Sequence, residues 1–178
     1  MGSLKEQIEA KTNEIRMLGT ELESEISRGM PFRDDMDKAA QEFDPEDQAE
    51  ILRLAKKPEE LVKVMSCVVF VLYDLKSHDS MAWVSKALSP NFIFDLRNFD
   101  PDSLSEERLQ RLDEHCIDPS MTLDKMDSWR VPKITKAVNR WLSALRGYAK
   151  IAADVKPRMQ QFQRLQQDLH DLMNLEVG

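Results

Sequence analysis

Glycine and cysteine are scarce in this chain. Its 178 residues hold five glycines and two cysteines, Cys67 and Cys116. So few glycines argue against a large sheet enzyme built on Gly-rich turns. Two cysteines cannot make a disulfide framework, so a reduced, cytosolic compartment is the expectation. The longest apolar run, Val68 to Tyr73, is six residues, against the ~20 that a membrane span needs. No basic segment followed by an apolar one opens the chain, so secretion is not expected. Phosphate-binding loops, dinucleotide loops and nucleophile signatures are missing. His115 and Cys116 are adjacent, while Cys67 and His78 lie far off in sequence, which is not zinc-ligand spacing. The expectation is a binding protein, not an enzyme, without cofactor or metal.

What is present is charge, and it is uneven. Charged residues make up 32% of the chain and the net charge is -7. Residues 1–57 carry nine cations against fourteen carboxylates, and residues 99–127 three against nine. Residues 129–158 reverse the sign, with eight cations against Asp154 alone. A basic segment in an acidic protein points to a polyanionic partner surface, or else to a solvated helix face. The acidic remainder and the lack of a known motif argue against nucleic acid.

The first third carries a heptad pattern. Steps of four and three from Leu4 give Ile8, Lys11, Ile15, Leu18, Leu22, Glu25, Gly29, Phe32, Met36, Ala39 and Phe43. So narrow a stripe wants one partner helix. Gly29 and Pro31 are expected to loosen or kink that helix, and Lys57-Pro58 to end it. A buried helix is expected over roughly 59–73, apolar on most of its circumference. Short helices should cover about 80–88 and the Phe92–Phe99 patch, then 104–115 with Asp102 or Ser103 as cap. A weak helical stretch is expected at 122–128. A long helix should run from about 131 to the end, interrupted near Pro157. Its seam reads Trp141, Leu145, Tyr148, Ala152, Val155, Met159, Phe162, Gln166, Leu169 and Met173. A second stripe, Phe162, Leu165, Leu169 and Leu172, runs beside it. Trp83, Trp141, Tyr148 and the Phe92–Phe99 aromatics read as core.

The expected architecture is all-α: an antiparallel coiled-coil hairpin capped by a small multi-helix globule. The divisions are 1–57, an outgoing coiled-coil helix; 58–156, a globular helical domain whose last helix is about 131–156; and 157–178, the returning helix. About 21 residues follow Pro157, so Leu4 to Leu22 are expected to lack a partner.

Several spaced residues resemble the stalk and microtubule-binding domain of a dynein heavy chain. Pro31 and Pro58 stand 27 residues apart, as a pair of prolines does in that family. Glu60-Leu61-Val62-Lys63-Val64-Met65-Ser66-Cys67-Val68 fits the helix that follows, Trp83 the start of the next, and Asn91-Phe92-Ile93 with Phe99 the segment after it. Trp141, Tyr148 and Pro157 match the last helix and the start of the returning coil. Pro58 and Pro157 are thus marked as the stalk junction.

The resemblance implies microtubules as partner, held through a face built from the first helix, the short third segment and the start of the last helix. Carried onto this sequence, that face supplies Lys63, Lys86, Arg97, Lys133, Lys136, Arg140 and Arg146. It further implies a cytoplasmic, cytoskeletal location, a cilium or flagellum axoneme included. The motor it implies is an ATPase whose nucleotide sites lie outside this chain. Affinity would follow a half-heptad slide between the stalk helices, roughly 5 Å at about 1.5 Å per residue. The alternative is a helical adaptor that binds another protein, such as a dynein light chain. No membrane partner is expected.

Overall fold

The computed structural model describes residues 3–75, 79 and 81–177. Among them the chain is all-α, without a strand. The helices are α1 (Leu4–Gln41), α2 (Pro45–Arg53), α3 (Glu59–Tyr73), α4 (Val84–Ala87), α5 (Phe92–Arg97), α6 (Glu106–Ile117) and α7 (Lys133–Val177). Short 3-10 turns occupy Pro101–Ser103 and Leu123–Ser128. No described helix is long and apolar enough to cross a membrane. Contacts divide the chain into two units, Met1–Met30 with Lys150–Gly178, and Pro31–Ala149. Pro58 falls inside the second unit and Pro157 inside the first.

In the first unit α1 and α7 pair antiparallel, so a long N-terminal helix packs on the C-terminal one. Lys11 Nζ is 3.6 Å from Asp168 Oδ2, and Arg158 reaches Glu21 at 2.7 Å and Glu25 at 3.7 Å. Between these pairs Gly19 faces the Phe162 ring. Leu22 of α1 and Val155 and Leu165 of α7 are buried. The expectation that Leu4 to Leu22 lack a partner is therefore corrected. It set Pro157 opposite Pro58. In fact Arg158 faces Glu21, so the residues after Pro157 run back along the start of α1.

The heptad stripe of α1 is legible in its burial. All twelve stripe positions from Leu4 to Phe43 are buried or half-buried, and among the other described residues of that stretch only Gly19 and Ala40 are not exposed. On α7 the structure selects the second stripe. Phe162, Leu165, Leu169 and Leu172 are buried or half-buried, whereas Gln166 and Met173 are exposed. Two successive steps of three, Met159 to Phe162 to Leu165, mark a local overwinding of the coil. Neither proline interrupts its helix: Pro31 lies within α1 and Pro157 within α7. Each forfeits one backbone hydrogen bond, and the apolar seam carries the helix through.

The second unit has its own core. α3 is apolar almost all round, and Leu61, Val64, Met65, Val68 and Val71 have no more than traces of exposure. Trp83, Phe92, Leu96, Leu112, Ile134, Trp141 and Leu145 close around it. Phe99 meets Trp141 edge-on, with ring centres 5.6 Å apart. Phe94 departs from the expected core at 66% exposure, and Tyr148 is only half-buried.

Three boundaries differ from expectation for local reasons. The first helix does not run to Lys57. It stops at Gln41, because Asp44 Oδ1 accepts from the Glu46 amide at 2.9 Å and Pro45 opens a new helix, α2, as an N-cap followed by Pro at the first position does. The cap of α6 is Ser105, whose Oγ accepts from Arg108 N at 3.3 Å, and not Asp102 or Ser103, because both lie inside the 3-10 turn that Asp100 caps. The 80–88 helix contracts to α4, and 122–128 is a 3-10 turn.

Candidate functional site

The basic segment becomes the first turns of α7. Ile134, Ala137, Val138, Trp141, Leu142 and Leu145 of that helix are buried in the core. Lys133, Lys136 and Arg140, spaced three and four apart, fall on a different face. Lys133 is exposed and Lys136 half-buried, and neither forms an ion pair among the described residues. Lys133 lies within the electrostatic reach of α2. Burial first, then the repulsion of Asp44 and Glu50, pushes the Asp47 carboxyl up, and Lys133 partly opposes them.

The other five cations are engaged. Arg140 NH2 stands 3.1 Å from Glu42 Oε2, beside a cleft of about 310 Å³ that Phe32, Asp35, Lys38, Leu123, Ser143 and Ala144 help to line. Arg146 Nε donates to Asp113 Oδ1 at 2.8 Å and ties α7 to α6. Lys63 lies between Glu59 at 3.3 Å and Asp118 at 3.4 Å. Those partners, Glu59 first, hold its ammonium above the ordinary lysine range. Lys86 is exposed, with Nζ 5.3 Å from the centre of the Tyr73 ring. The Tyr73 hydroxyl donates to Asp95 at 2.5 Å. Burial first and that carboxylate second push the phenol well up. Arg97 is turned to backbone: Nε donates to Ala40 O at 3.3 Å and NH2 to Phe43 O at 3.0 Å.

The seven cations thus spread over α3, α4, α5 and α7, and one stripe, on α7, brings three together. Sequence reasoning missed the carboxylates that hold them. Glu42, Asp113 and Asp118 stand 98, 33 and 55 positions from their partners, and no local pattern links such pairs. It also missed the crowding on α2, where Asp44, Glu46, Asp47 and Glu50 fall within seven residues. That signal was present in the composition. Among the described residues no cluster of His, Cys, Asp or Glu could hold a metal ion. His78 lies outside the described residues.

Fold and site define an all-helical protein with a paired-helix arm and a helical unit that presents cations from its last helix. No family model matches the chain. Curated relatives do. The chain is 33% identical over 110 residues to the Dynein-1-alpha heavy chain, flagellar inner arm I1 complex, of Chlamydomonas reinhardtii, covering 61% of this chain and 2% of that protein. It is 23% identical over 167 residues to Dynein axonemal heavy chain 10 of Homo sapiens, covering 92% of this chain and 4% of that protein. With the Dynein-1-beta heavy chain of the same alga it shares 25% over 143 residues, 80% of this chain and 3% of the relative. The chain is therefore similar to dynein heavy chains, and it spans only a few per cent of the length of the relatives it matches.

Proposed function

We propose that this chain is the stalk and microtubule-binding tip of a dynein heavy chain, with the paired helices of the first unit as stalk and the helical unit as tip. The observation that carries the reading is the Lys133–Lys136–Arg140 stripe, in a chain similar to dynein heavy chains. Exposed cations steer encounter with an acidic surface such as tubulin, and the effect weakens with salt. Lys63, Lys86 and Arg146 complete the face that the resemblance implied, each from the partners described above, whereas Arg97, which the resemblance also supplied, is turned to backbone. Pro58 and Pro157, which the resemblance marked as the junction, lie within the second and the first unit, so on this reading the junction falls at Pro31 and Lys150. The motor's ATPase sites would lie in the remainder of a longer protein. The relatives' names include the words axonemal and flagellar, so the proposed setting is the axoneme of a cilium or flagellum.

Affinity would be set by sliding of α1 along α7. The two stripes on α7 support this: one is buried here, and the other, through Gln166 and Met173, stands exposed beside it. Microtubule co-sedimentation at low and raised salt tests the proposal. Pelleting that weakens with salt, and is lost in Arg140→Glu with the helical signal retained, supports it. No pelleting at low salt in any register leaves a helical adaptor as the better reading. Phe94 and Leu52, 66% and 65% exposed, favour a protein partner such as a dynein light chain in that case.

A further inference from the structure

The carbonyls that close a helix lack intrahelical donors, and at the end of α1 a distant arginine supplies them. The last turn tightens, with Glu42 N on Ala39 O at 3.0 Å and Phe43 N on Ala40 O at 3.2 Å. Arg97, on α5, then places two nitrogens of its planar fork on Ala40 O and Phe43 O, at 3.3 and 3.0 Å. Its own helix is rooted in the core. Phe92, Ile93 and Leu96 are buried, and Asp95 accepts from Tyr73 of α3. Phe43 is itself 3% exposed, so the chain just past α1 is held on both its backbone and its side chain.

We propose that Arg97 is a positioning residue that fixes α1 along its own axis against α5, and not a contact with the microtubule. The inference rests on the stalk reading above. A guanidinium fork fits one spacing of acceptors. A half-heptad slide moves the carbonyls by roughly 5 Å, and a hydrogen bond does not survive beyond about 3.5 Å. Sliding of α1 therefore either breaks both bonds or draws α5 with it. Arg97 is thus the point at which the axial position of α1 is passed to the helices of the second unit. Glu42, gripped by Arg140 at 3.1 Å, adds a second restraint on the same turn.

The test uses the full chain with spin labels at Asp35 and Ser143 (D35C and S143C, with C67A and C116S), which line the same cleft from α1 and α7. Arg97→Ala is expected to populate a second label distance. The ratio of registers should change about tenfold, or about 1.4 kcal/mol, in keeping with loss of a charge-assisted bond. Arg97→Lys should fall between. Co-sedimentation is then repeated with the register locked by a short bifunctional thiol cross-linker between K11C and D168C, whose side chains pair across the two helices, over a salt series. A positioning residue leaves the locked chain's affinity and salt dependence unchanged on Arg97→Ala. A single unshifted distance, or weaker binding with a shallower salt dependence in the locked chain, overturns the proposal. A lower melting temperature without a second distance also overturns it. Absence of pelleting throughout removes the microtubule reading, while the label distances still decide what Arg97 holds.

Discussion

A Cβ placed on Gly147 would stand 2.3 Å from Cε1 and 2.4 Å from Cδ1 of Phe32. The ring of α1 is seated against the bare backbone of α7. In an open helix Gly→Ala is favourable by about 1 kcal/mol, but overpacking of this kind costs about 1–3 kcal/mol. Gly147→Ala is expected to lower the melting temperature by a few degrees, roughly what 1 kcal/mol does in a domain of this size. Phe32→Leu in the same chain should recover most of it. Gly19 is the internal control, since its added Cβ would lie 3.3 and 3.7 Å from the Phe162 ring. Gly19→Ala should leave the melting temperature unchanged or raise it. Equal effects at the two glycines would count against the seat.

His115 makes stability depend on pH. Asn139 Nδ2 donates to Met121 O at 2.9 Å, so its Oδ1, 2.7 Å from His115 Nε2, accepts from the imidazole. Burial first lowers the affinity of the ring for a second proton. Arg111 and Lys63 act the same way, while Asn139 and Asp118 oppose them. An unfolded histidine titrates near 6.5, and the folded one below it. Between those points the unfolded chain binds more protons, so folding free energy is lost as pH falls. His115 should therefore contribute fully above about pH 6.5, and less as the pH drops through that value toward the folded pKa. Urea midpoints taken at about pH 7.5 and 5.5 should fall with pH, and His115→Gln should flatten that slope. A slope unaltered by the substitution would assign the effect to other groups.

Gln48 joins α2 to the chain around α4. Its Nε2 donates to Ala87 O at 2.7 Å and Ser89 O at 2.9 Å, and the residue is buried. Gln48→Ala strands two carbonyls, at a cost of about 1–3 kcal/mol. Gln48→Glu keeps the shape but sets an acceptor against two acceptors, next to Asp44, Asp47 and Glu50. At neutral pH it should be the more damaging of the two in a urea titration, and acidification should narrow the gap. Were Glu tolerated better than Ala, the bonds to Ala87 and Ser89 would not be what holds α2.

Periodicity carried most of the helix content, and contact partners carried little of themselves into the sequence. The α1 stripe was readable because a coiled coil buries one position in three or four and leaves the rest wet. α3 was readable to the residue because Pro58 and the apolar circumference bound it. Asp44-Pro45 was a legible start signal that the heptad phase, running on through Phe43, concealed. The pairing of Arg158 with Glu21 was not legible, because register depends on the length of the intervening unit and no local residue states it. The cations were visible as a charge excess. Which of them grip a neighbour was not, since Arg97 and Ala40 meet only once α5 is packed beside the end of α1.

The choice between the two stripes on α7 can be forced. Leu165 is 9% exposed, while its neighbour Gln166 faces solvent. One residue of rotation separates a seam through Leu165 and Leu172 from one through position 166 and Met173. Exchanging the pair (L165Q with Q166L) keeps composition and nearly keeps helix propensity. It moves one leucine from the seam buried here to the one through position 166, a difference of about 1.5–3 kcal/mol for each side chain fully buried. Helix content should hold, and the yield of a short thiol cross-linker between K11C and D168C should fall several-fold, because Lys11 and Asp168 are paired in the register seen here. On the proposed stalk reading, microtubule affinity should change in step with that yield. Unchanged cross-linking would mean that α7 has one seam with a broad apolar margin, and register control would then have to reside elsewhere in the pair.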